Sequence, residues 1–167
     1  MTSETSNPMK HSSSRILHLI ALLCIAGVGA ALFSQHVLDM PPCAWCVFQR
    51  LLFVITALVC WLGIWGGRYS RAIPRIAGAV VTLIAAGGIL SGWYQHTVAA
   101  QMFSCDRSFA DHFMVNSGLD AGLPWLFGIF ATCMDAQVKL LGVEYVFWAI
   151  ALFTLVGVLG IAAALRR

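Results

Sequence analysis

Residues 41–66 read PPCAWCVFQRLLFVITALVCWLGIWG. From Val47 to Gly66 the stretch is apolar except for Gln49, Arg50 and Thr56, and Arg50 is its only charge. At about 1.5 Å of rise per residue, a helix of this length reaches about 30 Å, the thickness of a bilayer's hydrocarbon core. Three further stretches, 16–33, 76–93 and 145–165, contain no Asp, Glu, Lys or Arg at all. Backbone N–H and C=O groups find no water in lipid, so segments of this kind cross as helices. Four of them are enough to bundle.

The composition agrees. Of 167 residues, 60% are apolar and 10% are charged, whereas a soluble domain carries about 25% charged residues. That excludes a water-soluble globule and a disordered chain. The net charge of +3, with no basic stripe interleaved with aromatics, excludes a nucleic-acid binder. The first apolar stretch, at 18 residues, is longer than the h-region of a signal peptide, about 7–15, so it reads as an uncleaved span.

Lys10, Arg15, Arg68, Arg71, Arg75, Arg166 and Arg167 all fall on one side of the resulting topology, with Glu4 as the only acid beside them. The positive-inside rule makes that side cytoplasmic. The expectation is therefore an all-α membrane protein, a four-transmembrane-helix bundle with both termini cytoplasmic. It forms a single membrane domain, 1–167, with a cytoplasmic tail at 1–15 and spans at 16–33, 47–66, 76–93 and 145–165. Two periplasmic loops, 34–46 and 94–144, hold the six remaining acids. Trp93, Tyr94 and Tyr145 sit at span ends as interfacial anchors do. Residues 123–130, LPWLFGIF, are too short to span and read as an interfacial segment of the second loop. Glycines 63, 78, 87, 88, 92, 157 and 160 suit close helix approach.

The six cysteines divide by depth. Cys24 and Cys60 lie mid-span and read as small buried hydrophobes. Cys43, Cys46, Cys105 and Cys133 all face the outer side, where an even number of thiols is commonly paired. Cys43-Ala44-Trp45-Cys46 is a C-x-x-C. A zinc site would need a second such motif or an H-x₃₋₅-H, and the sequence has neither, so no metal is expected. Two intervening residues make a tight, easily reduced ring, which favours redox use over a structural staple. Pro41 and Pro42 suit a helix start, and the N–H groups of an opening turn favour thiolate. Cys43, Cys46 and Arg50, at i, i+3 and i+7, share one helix face. Arg50 either snorkels or supplies a fixed cation; stacked under a redox pair, the cation reading is the better one. Cys105 and Cys133 either bridge their own loop or exchange with the first pair, and Arg107 stands near Cys105. His96, at the outer end of the third span, is either simply half-solvated or a donor at the depth of Cys46 and Arg50.

Taken together, Pro42-Cys43-x-x-Cys46-x-x-x-Arg50 opening the second span, Gln95-His96-Thr97 closing the third, and Cys105 and Cys133 in the second loop resemble the disulfide bond formation protein B (DsbB) family. The resemblance runs from about residue 16 to residue 165. It implies an inner-membrane thiol:quinone oxidoreductase, multi-pass in the bacterial cell inner membrane, with its active cysteines facing the periplasm. Its partner would be a periplasmic thioredoxin-fold oxidant (DsbA-like), whose thiolate attacks Cys105 of a Cys105–Cys133 disulfide. Electrons then pass to Cys43–Cys46 and from Cys46 to a quinone, ubiquinone or menaquinone, drawn from the membrane quinone pool. Arg50 and His96, together with Cys46, would bind the quinone, in a slot lined by Trp45, Val47, Phe48 and Trp93. A quinone drawing on two-electron chemistry needs no ATP, and no phosphate-binding loop occurs.

Three other readings compete. Vitamin K epoxide reductase-like enzymes carry the C-x-x-C late and the shuttle pair early, the reverse of the order here. A specialised paralogue would share the layout and serve a dedicated substrate. A non-catalytic scaffold would use the same disulfides only to brace its loops, and would tolerate Cys46→Ser.

Overall fold

A computed structural model describes residues 8–70, 72–101 and 108–165. Four long helices dominate: α1 (Pro8–Val37), α2 (Ala44–Gly66), α3 (Ala72–Thr97) and, after the second loop, α7 (Tyr145–Leu165). All four contain a segment long and apolar enough to cross a membrane. Less than half of each apolar segment is buried inside the protein. Leu22, Leu62, Leu83, Leu90 and Val158 point outward, each more than half exposed. In water such a surface would aggregate; in a bilayer it is solvated by lipid. The protein is a multi-pass membrane protein.

Around the bundle, α1 packs on α2, α2 on α3, α3 on α7 and α7 back on α1. The central layer is closed by Phe53 of α2 and Phe153 of α7, stacked with centroids 4.0 Å apart. Small residues let the rings reach each other. A Cβ on Gly88 would come within 2.4 Å of the Phe153 ring. Closer to the far end, α3 and α7 touch backbone to backbone: a Cβ on Gly78 would lie 2.8 Å from the Gly160 carbonyl oxygen. Gly63 and Gly92 are similarly crowded, while Gly157 has ordinary contact and Gly87 faces open space. Gly87 is therefore not a packing glycine, because one residue of helical phase turns it away from Phe153. Buried hydroxyls within the spans bond to their own helix, as Thr56 does to the Leu52 carbonyl, so few polar groups are left for lipid to meet.

Between α3 and α7 the loop folds back over one end of the bundle. A 3-10 turn (Ala99–Gln101) is followed, past the undescribed residues, by α4 (Phe109–Asn116), α5 (Leu119–Gly122) and α6 (Pro124–Phe127). Ser108 and Asp111 form a capping box at the start of α4, satisfying two of its orphan amides. Met114, fully buried, packs with Val47 and Phe127. A two-stranded hairpin, β1 (Lys139–Leu140) and β2 (Val143–Glu144), then leads into α7. Its two turn residues, Leu141 and Gly142, both have positive φ, the backbone a tight hairpin requires. Leucine is a poor residue for that conformation, and the sequence gives no Asn-Gly or Asp-Gly signal there.

Candidate thiol redox site

The site is assembled at the start of α2. Cys43 is the N-cap residue, with extended backbone and no side-chain capping bond. Its carbonyl accepts the Val47 amide at 3.0 Å, which leaves the thiol free to turn toward the next helical turn. There Cys46 Sγ lies 3.2 Å from Cys43 Sγ. The second loop is fastened to the same place. Pro42 offers its carbonyl to the Phe130 and Ala131 amides, at 3.0 and 3.3 Å. Two residues later, Cys133 packs against the cluster that holds Cys43. The neighbouring Cys133 thiol, the bond to Cys46 and burial together push the Cys43 thiol well above its ordinary value. Cys105 and Arg107 lie outside the described residues.

On its other side Cys46 faces α3. The Gln95 side-chain amide donates to Cys46 Sγ at 3.2 Å and to Cys43 Sγ at 3.7 Å. Gln95 in turn accepts from Gln49 Nε2 at 2.9 Å. Neither glutamine was assigned a role from sequence beyond Gln95's place in the Gln-His-Thr motif. The available signal was one primary amide, Gln49, inside an apolar span, where an unpaired amide is costly, and a second, Gln95, just past the end of another.

Arg50 does not snorkel. It is 5% exposed, and its guanidinium donates to Gln35 Oε1, to the Ala31 carbonyl at 3.2 Å and to the Leu126 carbonyl at 3.2 Å. These acceptors join α1 and α6 to α2, and all of them are neutral. A buried cation without an anion is a costly arrangement. A small, open cleft adjoins it, walled by Cys46, Arg50, Ala31, Ser34, Pro42 and Tyr145. An apolar cleft beside a guanidinium whose partners among the described residues are all neutral suits an acceptor on which negative charge develops. The walls differ from those expected. Trp45 and Phe48 sit on the opposite side of α2 and pack with each other, with Tyr94 and with α4, because they are out of helical phase with Cys46 and Arg50. Val47 is buried against Met114 and Phe127, and Trp93 is 59% exposed.

His96 stands on a second small cleft, which it shares with Cys46, Gln95, Cys133, Glu144 and Tyr145. Its Nδ1 pairs with Glu144 Oε2 at 2.8 Å. Arg50 is not among the residues of that cleft. Cys46, with Ala136, Val138 and Tyr145, thus forms the wall shared by two openings, one toward Arg50 and one toward Cys133 and His96. Among the described residues no group of His, Cys, Asp and Glu is arranged to hold a metal.

The family model described as "Disulfide bond formation protein DsbB" matches residues 13–163. The chain belongs to the DsbB family. Disulfide bond formation protein B of Burkholderia thailandensis is 29% identical over 160 residues, 94% of this chain and 92% of its own length. The protein of the same name from Burkholderia pseudomallei is 30% identical over 156 residues, 92% of this chain and 89% of its own. Disulfide bond formation protein B 1 of Pseudomonas savastanoi is 29% identical over 154 residues, covering 92% and 90%. Membership makes this DsbB-family chain a membrane protein of disulfide bond formation and a disulfide-forming oxidoreductase.

Proposed function

We propose that the protein is an inner-membrane thiol:quinone oxidoreductase that reoxidises a DsbA-like periplasmic dithiol. The reading is carried by one arrangement: Cys133 packed against the cluster of Cys43, Cys43 3.2 Å from Cys46, and Cys46 sharing a cleft with the buried Arg50. That is a line of exchangeable sulfurs ending at a cation. The four helices form a single membrane domain with both termini cytoplasmic and both loops periplasmic, as the charge distribution favours.

The chemistry balances without ATP. The partner's dithiol gives two electrons and two protons to the Cys105–Cys133 disulfide, which opens as the partner's disulfide closes. Cys133, now a thiol, attacks Cys43 of the second disulfide and Cys46 leaves as the thiolate; Cys105 then attacks Cys133, which re-forms Cys105–Cys133 and frees Cys43 as a thiol. Closing Cys43–Cys46 again releases two electrons and two protons. A quinone bound in the Arg50 cleft, ubiquinone or menaquinone, supplies the acceptor for them. The residues of the chain do the rest: Cys46 presents sulfur at the cleft wall, and Arg50 holds positive charge where negative charge develops. His96, paired with Glu144 on the second cleft that Cys46 also lines, acts as a donor on that side.

The test is quinone consumption by the purified protein in detergent, with a reduced DsbA-like protein as electron donor. One quinone is consumed per partner disulfide formed, and Cys43→Ser, Cys46→Ser, Cys105→Ser and Cys133→Ser each abolish steady turnover. Normal turnover in all four variants would eliminate the relay. A membrane-impermeant maleimide tests the orientation: after reduction it reaches the active thiols from the periplasmic side.

A further inference from the structure

The two glutamines lie on different helices and meet beside the C-x-x-C. Gln49 is 5% and Gln95 7% exposed, so neither amide has bulk water as an alternative partner. Gln49 Nε2 donates to Gln95 Oε1 at 2.9 Å, which commits the Gln95 oxygen. The Gln95 NH₂ group is then turned to the sulfurs and forks across both, 3.2 Å from Cys46 and 3.7 Å from Cys43. An amide rotated by 180° would put its oxygen against those sulfurs and repel a thiolate. The packing leaves room for this meeting, since Gly92, one turn before Gln95, has the Gln49 amide 3.6 Å from where a Cβ would stand.

We propose that Gln95 is a catalytic hydrogen-bond donor to the Cys46 thiolate and that Gln49 is a positioning residue that fixes which end of the Gln95 amide faces sulfur. Hydrogen bonds to a charged sulfur favour its charged form. The pair therefore raises the fraction of Cys46 present as thiolate at neutral pH, without adding a charge to the membrane. Among the described residues, the other titratable or charged groups around Cys46 are Cys43, Cys133, Arg50, His96, Glu144 and Tyr145. None of them is removed in the test.

The proposal rests on Cys46 as the sulfur that hands electrons on. Its test needs neither quinone nor partner. The reduced full-length protein in detergent is alkylated with iodoacetamide across pH 5–10, and modification of Cys46 is followed by peptide mass spectrometry. Gln95→Met is expected to slow Cys46 alkylation at pH 7 by about tenfold, the scale of one hydrogen bond to a charged group, with the limiting rate at high pH unchanged. Gln49→Met is expected to shift the profile in the same direction by about threefold, and the double variant to match Gln95→Met alone, as for residues acting through one contact. Should Gln95→Met fail to fold, Gln95→Asn withdraws the donor by one methylene and is expected to shift the profile likewise. An unmoved profile, additive effects of the two substitutions, or a lowered limiting rate in place of a shift along the pH axis would each overturn the proposal. Turnover surviving in Cys46→Ser would instead remove the role of Cys46 while leaving the alkylation result standing.

Discussion

The Phe130 amide donates to the Pro42 carbonyl at 3.0 Å, tying the second loop to the residue immediately before Cys43. This bond, with its neighbour from Ala131, explains why Cys133 meets Cys43 although 90 positions separate them in the chain. The approach to Pro42 is shaped by Gly128, where a Cβ would lie 2.4 Å from the Pro124 carbonyl and 2.6 Å from the Phe130 ring.

Gly128→Ala is accordingly expected to displace Phe130 and loosen the seat of Cys133. Oxidation of a reduced DsbA-like partner should slow by about tenfold, the scale of a small misplacement of reacting groups. Reoxidation of Cys43–Cys46 by added quinone should stay within about twofold, because α2 is untouched. Stopped-flow measurement of the two half-reactions separates them, and equal slowing of both would contradict the assignment.

Arg50→Ala should raise the quinone KM by about 10- to 100-fold, the range for hydrogen bonds to a charged group, with little change in partner KM. Arg50→Lys should rescue only in part, since a single ammonium cannot serve the acceptors on α1 and α6 together. His96→Ala should change quinone KM less than Arg50→Ala does, because His96 borders the other cleft. Steady-state kinetics at varied quinone decides all three.

The Cys43 thiol is raised by the neighbouring Cys133 thiol, by its bond to Cys46 and by burial. A thiol with a raised folded value favours the protonated form. Its contribution to stability is thus complete below the ordinary thiol value of about 8.5 and is lost as pH rises toward the raised one. The reduced protein should therefore lose thermal stability between neutral and alkaline pH more steeply than reduced Cys43→Ser. Parallel curves for the two proteins would show that Cys43 does not carry the dependence.

In the bundle, Gly88→Ala should destabilise the protein by about 1–3 kcal/mol, the usual cost of overpacking a filled core, because the added methyl meets the Phe153 ring. Gly87→Ala, next to it and facing open space, should be neutral or slightly stabilising through helix propensity. Thermal unfolding in detergent checks the pair.

Much of the fold was legible because apolar length is a direct consequence of bilayer thickness: the charge-free stretches around Cys24, Val81 and Phe153 have few other ways to fold. The helical phase of Cys43, Cys46 and Arg50 was equally readable, since it depends on one segment alone. The partners of Arg50 were not. Gln35, Ala31 and Leu126 come from two other elements, and no local spacing announces them. The same holds for Gln49 with Gln95. The Leu141-Gly142 hairpin was hidden for a different reason: tertiary demand placed a leucine where local preference asks for Asn or Gly. Trp45 and Phe48 were expected near the quinone from proximity in sequence, yet α4 supplies an apolar surface for them that only the folded loop creates.

Two openings with Cys46, Ala136, Val138 and Tyr145 as their shared wall carry a kinetic implication. On the proposed assignment, the water-borne substrate and the lipid-borne one dock at different doors and never need to be aboard together. Initial-rate plots at several fixed quinone concentrations should then run parallel, the mark of a ping-pong enzyme, and the wall between the doors guards the membrane acceptor from stray thiols outside.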